Sequence, residues 1–218
     1  MNELEKFFLE EKELKRKIYK HMNTLVQKGQ ILFTGSSLME QFPINEIALN
    51  HGVDAVIYNR GIGGYTIPEM IEAVEEQVLE LVPSKIFINI GTNDISIPDE
   101  TEEKFEGDYR RLLNIIKREL PDAAVYMMAY YPVSPEVAKD MPGDGYITSV
   151  NYRLERLDKA NAVARELAGE FNYKFIDVND GLCNSEGHLR PELSKDGIHM
   201  WPEAYDIVFN NMKKYILE

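Results

Sequence analysis

Cysteine is almost missing: 218 residues include one, Cys183. A single cysteine excludes an internal disulfide framework, and with no second one at Cys-x-x-Cys spacing it carries no zinc-site signature. Positive charge is also scarce, at 24 Lys plus Arg against 37 Asp plus Glu, for a formal net charge of −13. Such a surface repels phosphate backbones and anionic headgroups, so nucleic acid is not an expected partner. No apolar run reaches the ~20 residues that span a bilayer. The N-terminus stays charged through residue 20 and lacks the apolar core and small-residue cleavage site of a signal peptide. The expected location is therefore cytoplasmic. Internal repeats, low-complexity tracts and long linkers are absent as well.

What is present suits a globular α/β chain, with 44% hydrophobic and 28% charged residues. The length fits one domain with a full core. Residues 1–29 place apolar side chains at Leu4, Phe8, Leu14, Ile18, Met22 and Leu25, the spacing of an amphipathic helix. They read as an N-terminal helical extension to a domain over 30–218. Its stripe faces either that domain or a second copy, since a helical stripe alone does not name its partner.

Short apolar runs then read as buried parallel strands: Ile31 to Phe33, Ala55 to Tyr58, Ile86 to Ile90, Val125 to Ala129, and Tyr173 to Ile176. Helical patterns separate them. Thr66-Ile67-Pro68-Glu69 is a capping box that opens a helix to about Leu81. Further helices are expected from Asp99 to Leu120, Thr148 to Phe171 and Pro202 to Ile216. Strands alternating with helices predict a mostly parallel five-stranded sheet covered on both faces. The long stretch Tyr130 to Tyr146 follows the fourth strand, and ligands of open α/β sheets bind at the carboxyl ends of strands. Tyr130 and Tyr131 are thus candidate substrate contacts, as an acyl slot or an aromatic platform for sugar, unless they only pack the loop onto the domain.

Four segments fall at strand carboxyl ends or in a late loop: Gly35-Ser36-Ser37-Leu38, Asn59-Arg60-Gly61-Ile62-Gly63-Gly64, Gly91-Thr92-Asn93-Asp94 and Asp196-Gly197-Ile198-His199. Acyl transfer needs a nucleophile, a base, a carboxylate that orients the base, and donors for the oxyanion. Ser37 is the candidate nucleophile, with its neighbour Ser36 as rival and helix N-capping as the plainer role. His199 is the candidate base, because Asp196 three residues earlier can accept from one ring nitrogen while the other faces the serine. The Ser37 and Gly64 backbone N–H groups and the Asn93 amide can supply an oxyanion hole.

Taken in order, these blocks resemble the SGNH hydrolase family, also called GDSL esterases and lipases, over nearly the whole chain beyond residue 30. The resemblance implies a flavodoxin-like α/β/α fold and a small-molecule ester substrate, with no metal or cofactor. It implies Ser37 as nucleophile, His199 as general base, Asp196 as orienting acid, and Gly64 and Asn93 as oxyanion donors. One departure is visible: the family's Gly-Asp-Ser is here Gly35-Ser36-Ser37. Sugar deacetylation, short-chain ester hydrolysis, lysophospholipid cleavage and thioester cleavage all fit this machinery. A nucleotide- or flavin-binding module is the competing reading, weakened because Gly61-Ile62-Gly63-Gly64 lacks Gly-x-Gly-x-x-Gly spacing.

Overall fold

A computed structural model of the protein describes residues 3–218. Met1 and Asn2, which begin the 1–29 segment, and the Leu4 side chain of its expected stripe lie outside the described residues. Five parallel strands make one sheet in the order β2-β1-β3-β4-β5: β1 Ile31–Gly35, β2 Ile57–Gly61, β3 Lys85–Asn89, β4 Ala124–Met128 and β5 Lys174–Ile176. The expected three-layer α/β/α, flavodoxin-like arrangement is what the chain adopts. Alternation along the strands explains the two covering layers, because successive side chains leave a strand on opposite faces. Leu32, Ile86, Ile88, Val125 and Met127 enter one core. Phe33, Phe87, Tyr126 and Met128 enter the other. All nine are almost completely buried.

The first core is closed by α4 (Ile67–Glu72), α5 (Val74–Gln77), α6 (Glu102–Glu119) and α8 (Gly145–Glu170). Short helices α2 (Ser37–Glu40) and α3 (Ile44–Asn50) and the long α9 (Pro202–Leu217) close the second. A single turn, α7 (Pro135–Ala138), interrupts the 130–146 stretch that the sequence leaves irregular.

Two local outcomes differ from expectation. The Thr66 capping box forms, with the Glu69 carboxylate accepting from the Thr66 N–H at 2.8 Å. The helix it opens nevertheless breaks into α4, α5 and a 3-10 turn at Leu79–Leu81 instead of running on to Leu81. Asn23 is one reason: its amide donates to the Glu76 carbonyl at 2.8 Å, the acceptor that a continuous helix would give to residue 80. Strand β2 also runs later than its apolar pattern, through Asn59 and Arg60. Arg60 tolerates burial there because its Nε donates to Asn23 Oδ1 at 2.9 Å and its guanidinium stacks 5.0 Å from the Tyr19 ring.

The N-terminal helix α1 (Glu3–Met22) is held to the domain by Tyr19 and by charge rather than by its apolar stripe. Tyr19 is buried and donates to the Gly61 carbonyl at 2.6 Å. Lys12 pairs with Glu69 at 2.6 Å, Lys15 with Glu40 at 2.7 Å and Arg16 with Glu76 at 3.0 Å. Phe8, Leu14, Ile18, Met22 and Leu25 stay exposed. The edge that receives α1 is rich in carboxylates, so the basic face turns onto the domain and the apolar stripe is left exposed. Among the described residues no helix is long and apolar enough to cross a membrane.

Candidate active site

Sheet order sets the location. Strand β1 lies between β2 and β3 with Gly35 in register with Gly61 and Asn89, so the loops after all three strands leave side by side at the carboxyl edge. The chain reverses its winding direction there, which opens a crevice. Gly35 ends β1 at φ +145°, where a Cβ would stand 1.9 Å from the Asn89 carbonyl oxygen. Only glycine permits this approach, and the chain turns at once into α2.

Of the two serines that follow, Ser36 is fully buried and its Oγ has no hydrogen-bond partner among the described residues. Ser37 Oγ lies 2.9 Å from His199 Nε2. His199 Nδ1 lies 2.6 Å from Asp196 Oδ2. Asp196 Oδ1 accepts the N–H groups of Ile198 and His199 at 2.9 and 2.8 Å. The carboxylate is thus fixed by its own turn while its other oxygen orients the ring. Burial raises the Asp196 pKa, but the His199 ring, its backbone N–H and the Ile198 N–H outweigh that and hold the carboxyl below its ordinary value.

The turn is braced from outside. Ser194 Oγ accepts from the Gly197 N–H at 2.8 Å, and the Gly197 carbonyl accepts from the Ser134 N–H at 2.8 Å. Gly197 has φ +95°, and a Cβ on it would meet the Ala138 Cβ at 2.5 Å. The 130–146 stretch therefore buttresses the histidine turn from behind.

That placement corrects the expectation for Tyr130 and Tyr131. Both are buried, at 1% exposure each, and neither lines the crevice. Tyr130 donates to the Ile90 carbonyl at 2.8 Å, and Tyr131 packs in the second core near Tyr205. They sit at the end of β4, where the sheet interior claims large side chains.

The oxyanion candidates face the crevice together with Ser37 and His199. Gly64 has φ +72°. Among the described residues neither its N–H nor that of Ser37 donates to another backbone carbonyl. Glu40 shapes this turn by accepting from the Gly63 N–H at 2.6 Å. Asn93 donates one amide hydrogen to the Tyr65 carbonyl at 2.8 Å, and its Oδ1 accepts from Arg153 Nη2 at 3.2 Å. Fixed at both ends, the amide has a second N–H left for the crevice. Asp94 turns away to accept from the Ile67 N–H at 3.0 Å, and burial raises its pKa to about 6 against that bond.

The crevice encloses about 780 Å³. Ile62, Gly63 and Gly64 form one wall, Ile198 and His199 another, and Ser149 and Arg153 of α8 line it too. Phe8, Lys12, Leu14, Lys15 and Ile18 of α1 complete the mouth. Helix α1 thus contributes to the surroundings of the site. Sequence reasoning passed over Glu40, Ser149 and Arg153. Spacing alone puts Ser149 and Arg153 on one face of α8, but nothing local says that this face meets the crevice. Among the described residues no three His, Cys, Asp or Glu side chains gather into a metal cluster.

A parallel α/β/α sheet whose switch point joins a hydroxyl, an imidazole and a carboxylate is the scaffold of an acylhydrolase. The chain belongs to the GDSL-like lipase/acylhydrolase family, whose sequence model matches residues 45–207, and is accordingly an ester-bond hydrolase. The matched segment begins after Ser37, so the place of that serine rests on geometry. A solved structure described as a platelet activating factor from Streptococcus pneumoniae is 28% identical, covering 98% of this chain and 96% of its own at a TM-score of 0.85. A GDSL-like lipase from Bacteroides thetaiotaomicron is 21% identical, covering 93% of this chain and 97% of its own at a TM-score of 0.74. An N-acylneuraminate cytidylyltransferase of Escherichia coli is 24% identical over 202 residues, 92% of this chain but 43% of that enzyme's length. The chain thus spans less than half of that relative.

Proposed function

We propose that the protein is a serine esterase that cleaves a small carboxylic ester through an acyl-enzyme on Ser37. His199 Nε2 takes the Ser37 hydroxyl proton as Oγ attacks the ester carbonyl carbon. The carbonyl oxygen becomes an oxyanion that accepts from the Ser37 N–H, the Gly64 N–H and Asn93 Nδ2. His199 then returns the proton to the leaving alkoxide as the C–O bond breaks. Water, deprotonated by the same imidazole, attacks the acyl carbon and releases the acid and free Ser37. Asp196 keeps the proton on Nδ1 so that Nε2 is free to accept.

The observation that carries this reading is the continuous Ser37–His199–Asp196 line at 2.9 and 2.6 Å. Apolar side chains in the crevice wall, Ile62 and Ile198, with Phe8 and Ile18 at its mouth, favour an acyl group over a charged nucleotide. The test is hydrolysis of a short p-nitrophenyl ester. Ser37→Ala should lower kcat by on the order of 10³ or more. Ser36→Ala should stay within about threefold of wild type, because its buried hydroxyl has no hydrogen-bond partner among the described residues. Retained activity in the Ser37 variant would end the proposal.

A further inference from the structure

Three cations line the crevice, and two are neutralised inside the fold: Lys12 by Glu69 and Lys15 by Glu40. Arg153 is the third. It is 4% exposed, yet among the described residues no carboxylate lies within ion-pair distance of it. Its Nε donates to Ser96 Oγ at 2.9 Å and its Nη2 to Asn93 Oδ1 at 3.2 Å, both neutral oxygens. Ser96 Oγ is saturated, since it also donates to the Thr92 carbonyl and accepts from Ser149 Oγ. A guanidinium carries five N–H groups, so three remain after these two bonds, and that edge opens on the crevice.

A buried cation without a counter-charge costs several kcal/mol of lost hydration, and folds seldom retain one without a use. Burial pulls the Arg153 pKa down to about 10, with the negative charge of Asp196 opposing it, so the group is charged at neutral pH. Asp196 acts on Arg153 only at longer range, since among the described residues the two form neither an ion pair nor a hydrogen bond and the carboxylate is turned to the His199 ring.

We infer that Arg153 is a specificity-determining residue that binds a carboxylate carried by the ester substrate, beside the oxyanion site. The inference rests on the Ser37 esterase reading. One planar fork with one unspent charge matches a monoanionic carboxylate, and the net charge of −13 disfavours a more highly charged group. Arg153 also acts as a positioning residue through Asn93, so its loss slows every ester, whereas the carboxylate contact concerns anionic esters alone.

The two roles separate in matched substrate pairs. Hydrogen succinate against butyrate p-nitrophenyl esters places the charge on the acyl side. A para-acetoxybenzoate against its methyl ester places it on the leaving group. Wild type should favour the anionic member of one pair in kcat/KM, on the order of 10- to 100-fold. Arg153→Gln should bring that ratio close to one, and Arg153→Lys should leave an intermediate value. Equal use of both members by wild type, or a preference that survives in Arg153→Gln, overturns the inference. Should the Gln variant not fold, wild-type inhibition reads the same contact. Benzoate should then inhibit neutral-ester hydrolysis at least about tenfold more tightly than benzamide, and equal inhibition overturns the inference. Failure of wild type to hydrolyse even the neutral esters would instead defeat the Ser37 reading on which it stands.

Discussion

Asp196→Asn changes one atom of the site and should silence it without unfolding the protein. In the native turn Asp196 Oδ1 accepts two backbone N–H groups, from Ile198 and His199, while Oδ2 accepts from His199 Nδ1. An asparagine keeps both backbone bonds by placing its carbonyl oxygen where Oδ1 was. Its NH₂ group must then face Nδ1, which has to give up its hydrogen and become an acceptor. The ring hydrogen moves to Nε2, the atom 2.9 Å from Ser37 Oγ. A ring that donates there cannot take the serine proton, so the general base is lost while its position is kept. The corresponding change in trypsin-like enzymes lowers kcat about 10⁴-fold, and a fall of roughly 10³ to 10⁴ is expected here. Three measurements decide: kcat on a p-nitrophenyl ester, the thermal midpoint, and the pH profile. The midpoint should stay within about 4 °C, since a change under ~1 kcal/mol moves it no further in a chain of this size. Less than a tenfold loss of kcat in a folded variant would remove Asp196 from the proton path.

Two other perturbations address the scaffold. Gly35→Ala should destabilise by roughly 3 kcal/mol or more, because its Cβ would lie 1.9 Å from the Asn89 oxygen at a φ of +145°. Gly169→Ala in α8 meets nothing within 4 Å and should stabilise by about 0.5–1 kcal/mol; equal effects in urea unfolding would refute the steric argument. Asp94 makes stability pH-dependent. Its folded pKa, about 6, stands above the ordinary 3.8, so the folded state holds the proton more tightly than the unfolded one. Stability therefore falls as pH rises between these values, by on the order of 3 kcal/mol, and the deficit persists above them. Asp94→Asn retains an acceptor for the Ile67 N–H and should gain on wild type at about pH 8 but not at about pH 4. A gain independent of pH would refute the assignment.

The strands were legible because a sheet covered on both faces needs continuous apolar runs, and Ile86 to Ile90 is such a run. The meeting of Ser37, Gly64, Asn93 and His199 at one crevice was legible because turns after parallel strands carry glycine and small polar residues. Arg153 was not, since its role depends on which face of α8 the sheet twist presents. The direction of α1 was also hidden: its apolar spacing favours an inward stripe, and only the carboxylates Glu40, Glu69 and Glu76, distant in sequence, turn the basic face inward. Tyr130 and Tyr131 misled for a related reason, because composition marks a loop while the end of β4 is still core.

The bond between Ser37 and His199 closes over 162 residues. Closing so long a loop costs conformational entropy before the contact repays it. The proposed nucleophile and its base therefore meet only when the two ends of the domain are brought together. On the proposed mechanism, a chain whose 196–199 turn is not yet in place leaves Ser37 without its base, so activity reports on the closure of this contact.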